Sequence, residues 1–238
     1  MPEQNILRNI LDSAQQCDKN CAFVFDLDST LICVRGRTQA ILRSAPDYPP
    51  LRQICAGQVD LFRAIEVYPT DYGLKHILLR KGIQLSHSCY YDLSGYWSHC
   101  FFSNEFLKYD ELYKGVSSYL SQLDKTCADI IYLTGRSQKS MGEGTYKQIN
   151  EWGLPLKKKE FLIMKPNNFT EDAVYKRDCL KKLSEQYEKI WFFENEPTTI
   201  NFIDQNLPKV KLVFVDSVHS GRQTLRKEFL SIGTDYSI

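Results

Sequence analysis

Two aspartates two residues apart, Asp26 and Asp28, stand at the end of a short apolar run, CAFVFD at 21–26. Carboxylates at this spacing could bind a cation together, or one could act as a nucleophile and the other as a proton donor. If the strand geometry of the run persists, both side chains face the same side. The alternative is a helix cap, for which one aspartate would suffice. The pair therefore marks a candidate reactive site.

Polar residues end two further apolar runs. Thr134-Gly135-Arg136 closes DIIYLT at 129–134 with a hydroxyl, a glycine amide that can approach an anion closely, and a cation. Glu194 closes KIWFFE at 189–194, where an acid is costly to bury without a cation. A simple turn remains the alternative for the first segment, and helix capping remains the alternative for Glu196.

The elements that must position these residues follow from hydrophobic pattern. Five near-continuous apolar runs predict strands buried on both faces, as in a parallel sheet, at 21–26, 129–134, 160–164, 189–194 and 210–216. Polar segments compatible with helices separate the later runs, at 138–151, 171–187 and 197–206. We therefore predict an α/β fold with a Rossmann-like parallel sheet, in which sites form at the carboxyl ends of the strands.

The stretch between the first two strands is too long for one crossover. It carries a helical pattern over 38–66 and 112–124 and no comparable apolar run. We predict a mainly helical insertion at 36–107, rich in Tyr, Phe, Trp and His, while residues 1–35 and 108–238 form the α/β core. The alternative is a set of extra helices on one face of the sheet.

Four segments in order resemble the motifs of the haloacid dehalogenase (HAD) superfamily of phosphohydrolases. They are FVFDLDSTL, IIYLTGR, the lysine of AVYKRDCLKKL, which is Lys176, and IWFFENEP. The resemblance spans roughly 21–216 and implies a HAD-like core whose cap domain is the insertion. The chain departs from the family at the fourth motif, because Glu194 and Asn195 stand where most members have an aspartate pair or an aspartate with a later one.

The resemblance implies a role for each matching residue. Asp26 would be the nucleophile and Asp28 the general acid and base, while Thr134, Gly135, Arg136 and Lys176 would bind the phosphoryl group. Asp26, the carbonyl of Asp28 and Glu194 would bind Mg²⁺, directly or through water. Lys165 is a weaker candidate for the lysine role than Lys176. Asn195, Asp216 and His219 receive no firm role.

These roles predict a Mg²⁺-dependent phosphatase that hydrolyses a phosphate monoester through an aspartyl-phosphate on Asp26. The substrate would be a phosphorylated small molecule, or a phosphopeptide if the cap is open. A phosphotransferase could use the same intermediate, and a binding or regulatory protein could keep the fold without catalysis.

Composition argues against a disordered, collagen-like or coiled-coil chain. The 238 residues are 43% hydrophobic, and 30 Lys and Arg against 29 Asp and Glu leave a net charge of +1, so no strong field indicates a nucleic-acid or membrane partner. With no recognisable secretory signal, we expect a cytoplasmic protein in which all eight cysteines are reduced thiols. A zinc site at His87, Cys89, His99 and Cys100 is a minor alternative, because their spacing matches no standard pattern.

Overall fold

The computed structural model describes residues 2–17, 20–167 and 169–238. Its strands are β1 (Cys21–Phe25), β2 (Ile32–Cys33), β3 (Glu111–Leu112), β4 (Asp129–Ser137), β5 (Leu162–Lys165), β6 (Lys189–Glu194), β7 (Lys211–Val215) and β8 (Leu230–Ile232). Its helices are α1 (Pro2–Gln15), α2 (Arg35–Ser44), α3 (Pro49–Ile54), α4 (Leu61–Ala64), α5 (Gly73–Arg80), α6 (His87–Phe101), α7 (Val116–Asp124), α8 (Gln138–Glu151), α9 (Asp172–Leu183) and α10 (Pro197–Asn206). Three short 3₁₀ turns complete the described elements.

A six-stranded parallel sheet in the order β5-β4-β1-β6-β7-β8 forms the centre of the fold, and β2 pairs with β3 in a separate small sheet. The predicted α/β class and parallel sheet are confirmed. The central strand β1 is buried along its whole length. Its aromatic residues stack on those of β6, with the rings of Phe25 and Phe193 centred 4.4 Å apart. Burial on both faces explains why these strands appear in the sequence as continuous apolar runs.

The chain divides into two compact units. The first comprises Met1–Ile32 and Leu112–Ile238, and the second comprises Cys33–Glu111. The first unit contains the six-stranded sheet, and one of its apolar clusters joins Val24 and Phe192 of the sheet to Leu180 of α9 and Ile200 of α10. This packing fixes α9 and α10 against the strands that carry the candidate site residues.

The second unit contains α2 to α6 around its own apolar core, which includes Leu42, Phe62, Ile77 and Leu93. Arg37 is fully buried in this unit, and its guanidinium forms an ion pair with the carboxylate of Asp110. A buried cation is tolerated because the carboxylate compensates for the lost hydration.

The expectation that all eight cysteines are reduced is wrong at two positions. Cys55, which follows α3, forms a disulfide with Cys89 in the first turn of α6, and their Cα atoms are 5.1 Å apart. The two residues are 34 positions apart and meet only when the helices of the second unit pack, so no local spacing pattern could indicate the bond. Cys89 is consequently not available as a zinc ligand.

None of the helices in the described ranges has the length and apolar character needed to cross a membrane.

Candidate active site

The first site residue lies immediately beyond β1, and the strand geometry does not continue through it. The Asp26 amide donates to the carbonyl of Phe193 over 3.0 Å, after which the chain turns sharply. Ser29 adopts φ = 62°, a left-handed conformation that is uncommon for residues other than glycine. The two carboxylates differ in burial: Asp26 is buried, whereas the Asp28 side chain is 27% exposed. The condition under which strand alternation would place both side chains on one side, a strand that continues through Asp28, is therefore not met.

A buried lysine joins Asp26 to Glu194. Lys176 projects from α9, and its Nζ lies 2.7 Å from Asp26 Oδ1 and 2.7 Å from Glu194 Oε2. All three side chains are almost completely buried. One ammonium group thus compensates two carboxylates that come from the ends of adjacent strands, β1 and β6.

The burial changes how these groups titrate. Loss of hydration raises the pKa of Asp26 to about 7, although the charge of Lys176 acts in the opposite direction. For Lys176, burial by itself would lower the pKa, but the charges of Asp26 and Glu194 raise it overall. The lysine therefore stays protonated at neutral pH, while Asp26 is only partly ionised there.

Glu194 uses its two carboxylate oxygens differently. Oε1 accepts the backbone N–H groups of Asn195 and Glu196, both over 3.0 Å, and Oε2 faces Lys176. The carboxylate is thereby fixed in one orientation with both oxygens hydrogen-bonded.

Thr30, which has no assigned role, is hydrogen-bonded to the nucleophile candidate and to Asn195. The Thr30 hydroxyl lies 3.2 Å from Asp26 Oδ2 and 3.3 Å from Asn195 Oδ1, so its single proton can be donated to either oxygen. Asn195 in turn donates from Nδ2 to the carbonyl of Val218 over 2.7 Å. Thr30 belongs to the first motif, so its position in FVFDLDSTL was a signal that could have identified it.

Arg136 contacts Asp28. Its Nε and Nη2 lie 3.1 and 2.5 Å from Asp28 Oδ1. Its Nη1 donates to Thr145 and Gln148 of α8 over 3.1 and 2.7 Å. The arginine is only 2% exposed, and these contacts hold it in place. Its predicted contact with the phosphoryl group stays a prediction.

The remaining phosphate-binding candidates lie in β4, which continues beyond Thr134 to Ser137 with a shift of register. Thr134 is buried, and its hydroxyl oxygen accepts the backbone N–H of Arg136 over 3.2 Å. Gly135 packs so closely on Asp172 that an added Cβ would lie 2.7 Å from Oδ2 of that carboxylate. Any larger residue would therefore require the Asp172 side chain to move.

The two candidate lysines have different partners. Lys165 Nζ lies 2.5 Å from Asp172 Oδ1, whereas Lys176 contacts Asp26 and Glu194. This geometry favours Lys176 as the lysine nearest the nucleophile candidate.

The segment after β7 packs on the first and fourth motifs. Ser217 donates to the carbonyl of Ser29 over 2.5 Å, and both the backbone N–H and the hydroxyl of Ser220 donate to Glu196. The ring of His219 packs edge-on against Phe214. The segment thus supports the turns that carry the site.

The donor set suits a magnesium ion. Asp26 and Glu194 present two buried carboxylates at the position that one ammonium group now bridges, and Mg²⁺ is commonly bound by one or two carboxylates together with water and phosphate oxygens. Within the described ranges, no group of three or more His, Cys, Asp or Glu residues could hold a metal ion. Two carboxylates match the protein share of a Mg²⁺ shell, in which water and phosphate oxygens supply the other ligands.

No protein-family model matches the sequence, and no curated protein matches it. The fold is nevertheless similar to solved structures. A haloacid dehalogenase-like family hydrolase from Streptococcus pneumoniae superposes with a TM-score of 0.57 at 11% identity, over 92% of this chain and 95% of that one. A protein described as a "predicted phosphoglycolate phosphatase" from Haemophilus somnus gives 0.54 at 12% identity, over 92% and 96%. A "predicted phosphatase" from Clostridium acetobutylicum gives 0.51 at 12% identity, over 90% and 93%. At these identities the likeness shows the fold.

Proposed function

From a haloacid dehalogenase-like fold with a buried Asp26–Lys176–Glu194 cluster, we propose that the chain is a phosphatase that hydrolyses phosphate monoesters through a covalent intermediate on Asp26. The observation that carries the proposal is the lysine, whose Nζ lies 2.7 Å from both carboxylates at the carboxyl ends of β1 and β6. Ligands of open parallel sheets bind at this edge. The names of two similar structures, both called phosphatases, agree with this reaction.

The first half-reaction transfers the phosphoryl group to the protein. An Asp26 carboxylate oxygen attacks phosphorus, the bond from phosphorus to the ester oxygen breaks, and Asp28 donates a proton to the departing alcohol. In the second half-reaction, the deprotonated Asp28 takes a proton from water, whose oxygen attacks phosphorus. The bond to Asp26 then breaks, and inorganic phosphate leaves.

Other residues orient the reacting groups and compensate charge. Thr30 fixes Asp26 through its 3.2 Å hydrogen bond, and Arg136 fixes Asp28. Lys176 offsets the repulsion between the attacking carboxylate and a phosphate dianion. Thr134 and the Gly135 amide are the proposed donors to the phosphoryl oxygens.

Asp26, Glu194 and the backbone carbonyl of Asp28 would hold Mg²⁺. When bound, the ion supplies positive charge that stabilises the transferring phosphoryl group. The alcohol portion of the substrate would belong to a phosphorylated small molecule or a phosphopeptide.

The test is hydrolysis of p-nitrophenyl phosphate with Mg²⁺ and with EDTA, using wild type and Asp26→Asn. Asp216→Asn is the matched control, because Asp216 follows the adjacent strand β7 and is exposed. We expect hydrolysis that requires Mg²⁺, disappears in Asp26→Asn and persists in Asp216→Asn. Full activity of Asp26→Asn, or hydrolysis that EDTA leaves unchanged, would refute the proposal. Added glycerol would reveal a phosphotransferase by forming glycerol phosphate.

A further inference from the structure

The second unit carries a groove of about 1080 Å³ along one side of α6, and its other wall comes from residues between positions 44 and 54. Tyrosines supply much of the lining: Tyr48, Tyr90, Tyr91 and Tyr96. The rings of Tyr48 and Tyr96 stack with centroids 4.8 Å apart, and the Tyr96 hydroxyl lies 2.9 Å from Ser44 Oγ. Tyr91 is 71% exposed. The groove therefore combines a stacked pair of rings with a third ring that is open to solvent.

The charge of the groove is acidic. Asp47, Asp92 and Glu105 line it, and none of its described lining residues is Lys or Arg. This acidity is local, because positions 33–111 contain nine Lys or Arg against eight Asp or Glu. Asp47 is paired with Arg63, whereas in the described chain neither Asp92 nor Glu105 forms an ion pair. The groove thus has uncompensated negative charge beside aromatic faces.

Elsewhere in this unit, arginine side chains already lie over aromatic rings. The guanidinium of Arg80 lies 3.9 Å from the ring centroid of Tyr68, and that of Arg37 lies 4.5 Å from the centroid of Phe101. Within the part of the chain that the structure describes, no Lys or Arg lies over the four groove tyrosines. Tyr48 and Tyr96 cover one face of each other, whereas the exposed ring of Tyr91 is available to a cation from outside, which aromatic rings attract within about 6 Å.

The dimensions favour an extended occupant. Between His87 and His99, α6 extends about 18 Å at about 1.5 Å per residue. A single small cation would contact only part of this length. The acidic lining opposes phosphate-rich partners such as nucleic acids, while a planar guanidinium can stack on tyrosine and pair with a carboxylate. We infer that this groove binds an arginine-containing segment of a partner protein, an interaction separate from the phosphatase reaction.

The test uses a fluorescein-labelled peptide in which three arginines alternate with glycines, and an otherwise identical peptide in which citrulline replaces arginine. Citrulline keeps the shape and removes the charge. Binding to the full chain is measured by fluorescence anisotropy. The groove variants are Tyr91→Ala and the double variant Asp92→Asn with Glu105→Gln. The matched control is Tyr146→Ala with Glu143→Gln, which alters an exposed tyrosine and an exposed acid on α8. Circular dichroism confirms that each variant is folded.

We expect saturable binding of the arginine peptide, with the citrulline peptide at least about tenfold weaker. Tyr91→Ala should weaken binding about threefold to tenfold, the acid double variant should weaken it at least as much, and the control should have no effect. Equal binding of the two peptides, unchanged binding by both groove variants, or no binding at millimolar protein would overturn the inference. Arginine amide that binds as tightly as the peptide would also overturn it, because the occupant would then be a small cation. No outcome depends on phosphatase activity.

Discussion

The guanidinium of Arg136 contacts Asp28 Oδ1 through two nitrogens, at 3.1 and 2.5 Å. Because Arg136 is also hydrogen-bonded to Thr145 and Gln148, helix α8 is connected to the carboxylate that we propose as general acid and base. Arg136 is thus a positioning residue in the proposed reaction, and its contribution should appear in the step in which Asp28 donates a proton.

The first prediction concerns Arg136→Lys. Lysine keeps the positive charge but lacks the planar guanidinium that hydrogen-bonds Asp28 and α8 at the same time. The Asp28 carboxylate therefore loses its fixed orientation. Turnover of phenyl phosphate should fall about tenfold to a hundredfold, whereas turnover of p-nitrophenyl phosphate should fall much less, because nitrophenolate leaves readily without a proton. Steady-state kcat on both substrates measures the difference.

Arg177→Lys is the control for this experiment, since Arg177 lies on α9 and pairs with its neighbour Asp178. It should change neither rate. An equal loss on the two phenyl esters in Arg136→Lys would show that the arginine does not act through proton donation.

The second prediction concerns the charge at the centre of the cluster. Lys176→Met keeps an unbranched side chain as far as Cε but removes the ammonium group, so the carboxylates of Asp26 and Glu194 stay buried without their cation. Removing one partner from a buried ionic group typically costs about 3–5 kcal/mol in the free energy of unfolding. Urea unfolding in EDTA should show this loss, and millimolar Mg²⁺ should recover part of it by supplying positive charge to the same carboxylates.

Lys182→Met, on the exposed side of α9, should unfold like the wild type. If Lys176→Met is as stable as Lys182→Met in EDTA, the lysine does not compensate the two acids.

Much of the fold could be predicted because its strands are buried on both faces. The five apolar runs correspond to β1, β4, β5, β6 and β7, with ends that differ by a few residues. The edge strand β8 of the central sheet was not predicted, because it has only three residues and Leu230 at its start is 45% exposed. A strand this short at the edge of the sheet leaves no continuous apolar run.

The site was predictable only in part. The motif resemblance identified Asp26, Lys176 and Glu194, which the structure brings together, but their catalytic roles stay predictions. The contacts of the Arg136 guanidinium with Asp28 and α8 could not be derived from the sequence, because they depend on how α8 packs beside β4. Disulfide pairing of Cys55 with Cys89 likewise depends on the tertiary packing of α3 and α6.

The third prediction follows from the titration of Asp26 in metal-free protein. Burial raises its pKa to about 7 in the folded chain, whereas an aspartate in the unfolded chain titrates near 3.8. The folded state therefore holds this proton more tightly, and the resulting stabilisation is complete below pH 3.8 and is lost as the pH rises through about 7. Lys176 stays charged throughout this range because its own pKa is raised.

Urea unfolding in EDTA between about pH 5 and pH 8 measures this effect. At each pH, the free energy of unfolding of Asp26→Asn is subtracted from that of the wild type. Asparagine does not titrate, so the difference should become less favourable to the wild type as the pH rises. A difference that stays constant, or that moves in the opposite direction, would show that Asp26 ionises normally in the fold.

The most direct test of the proposed reaction is to trap the covalent intermediate. Wild-type protein turning over p-nitrophenyl phosphate in Mg²⁺ is quenched in acid, digested with pepsin and analysed by mass spectrometry, with a parallel sample treated with hydroxylamine. We predict a phosphorylated peptide whose modification maps to Asp26, is removed by hydroxylamine and is absent from Asp26→Asn. Rapid turnover with a phosphoryl group found on another residue, or with Asp26 unmodified throughout, would contradict nucleophilic catalysis by Asp26.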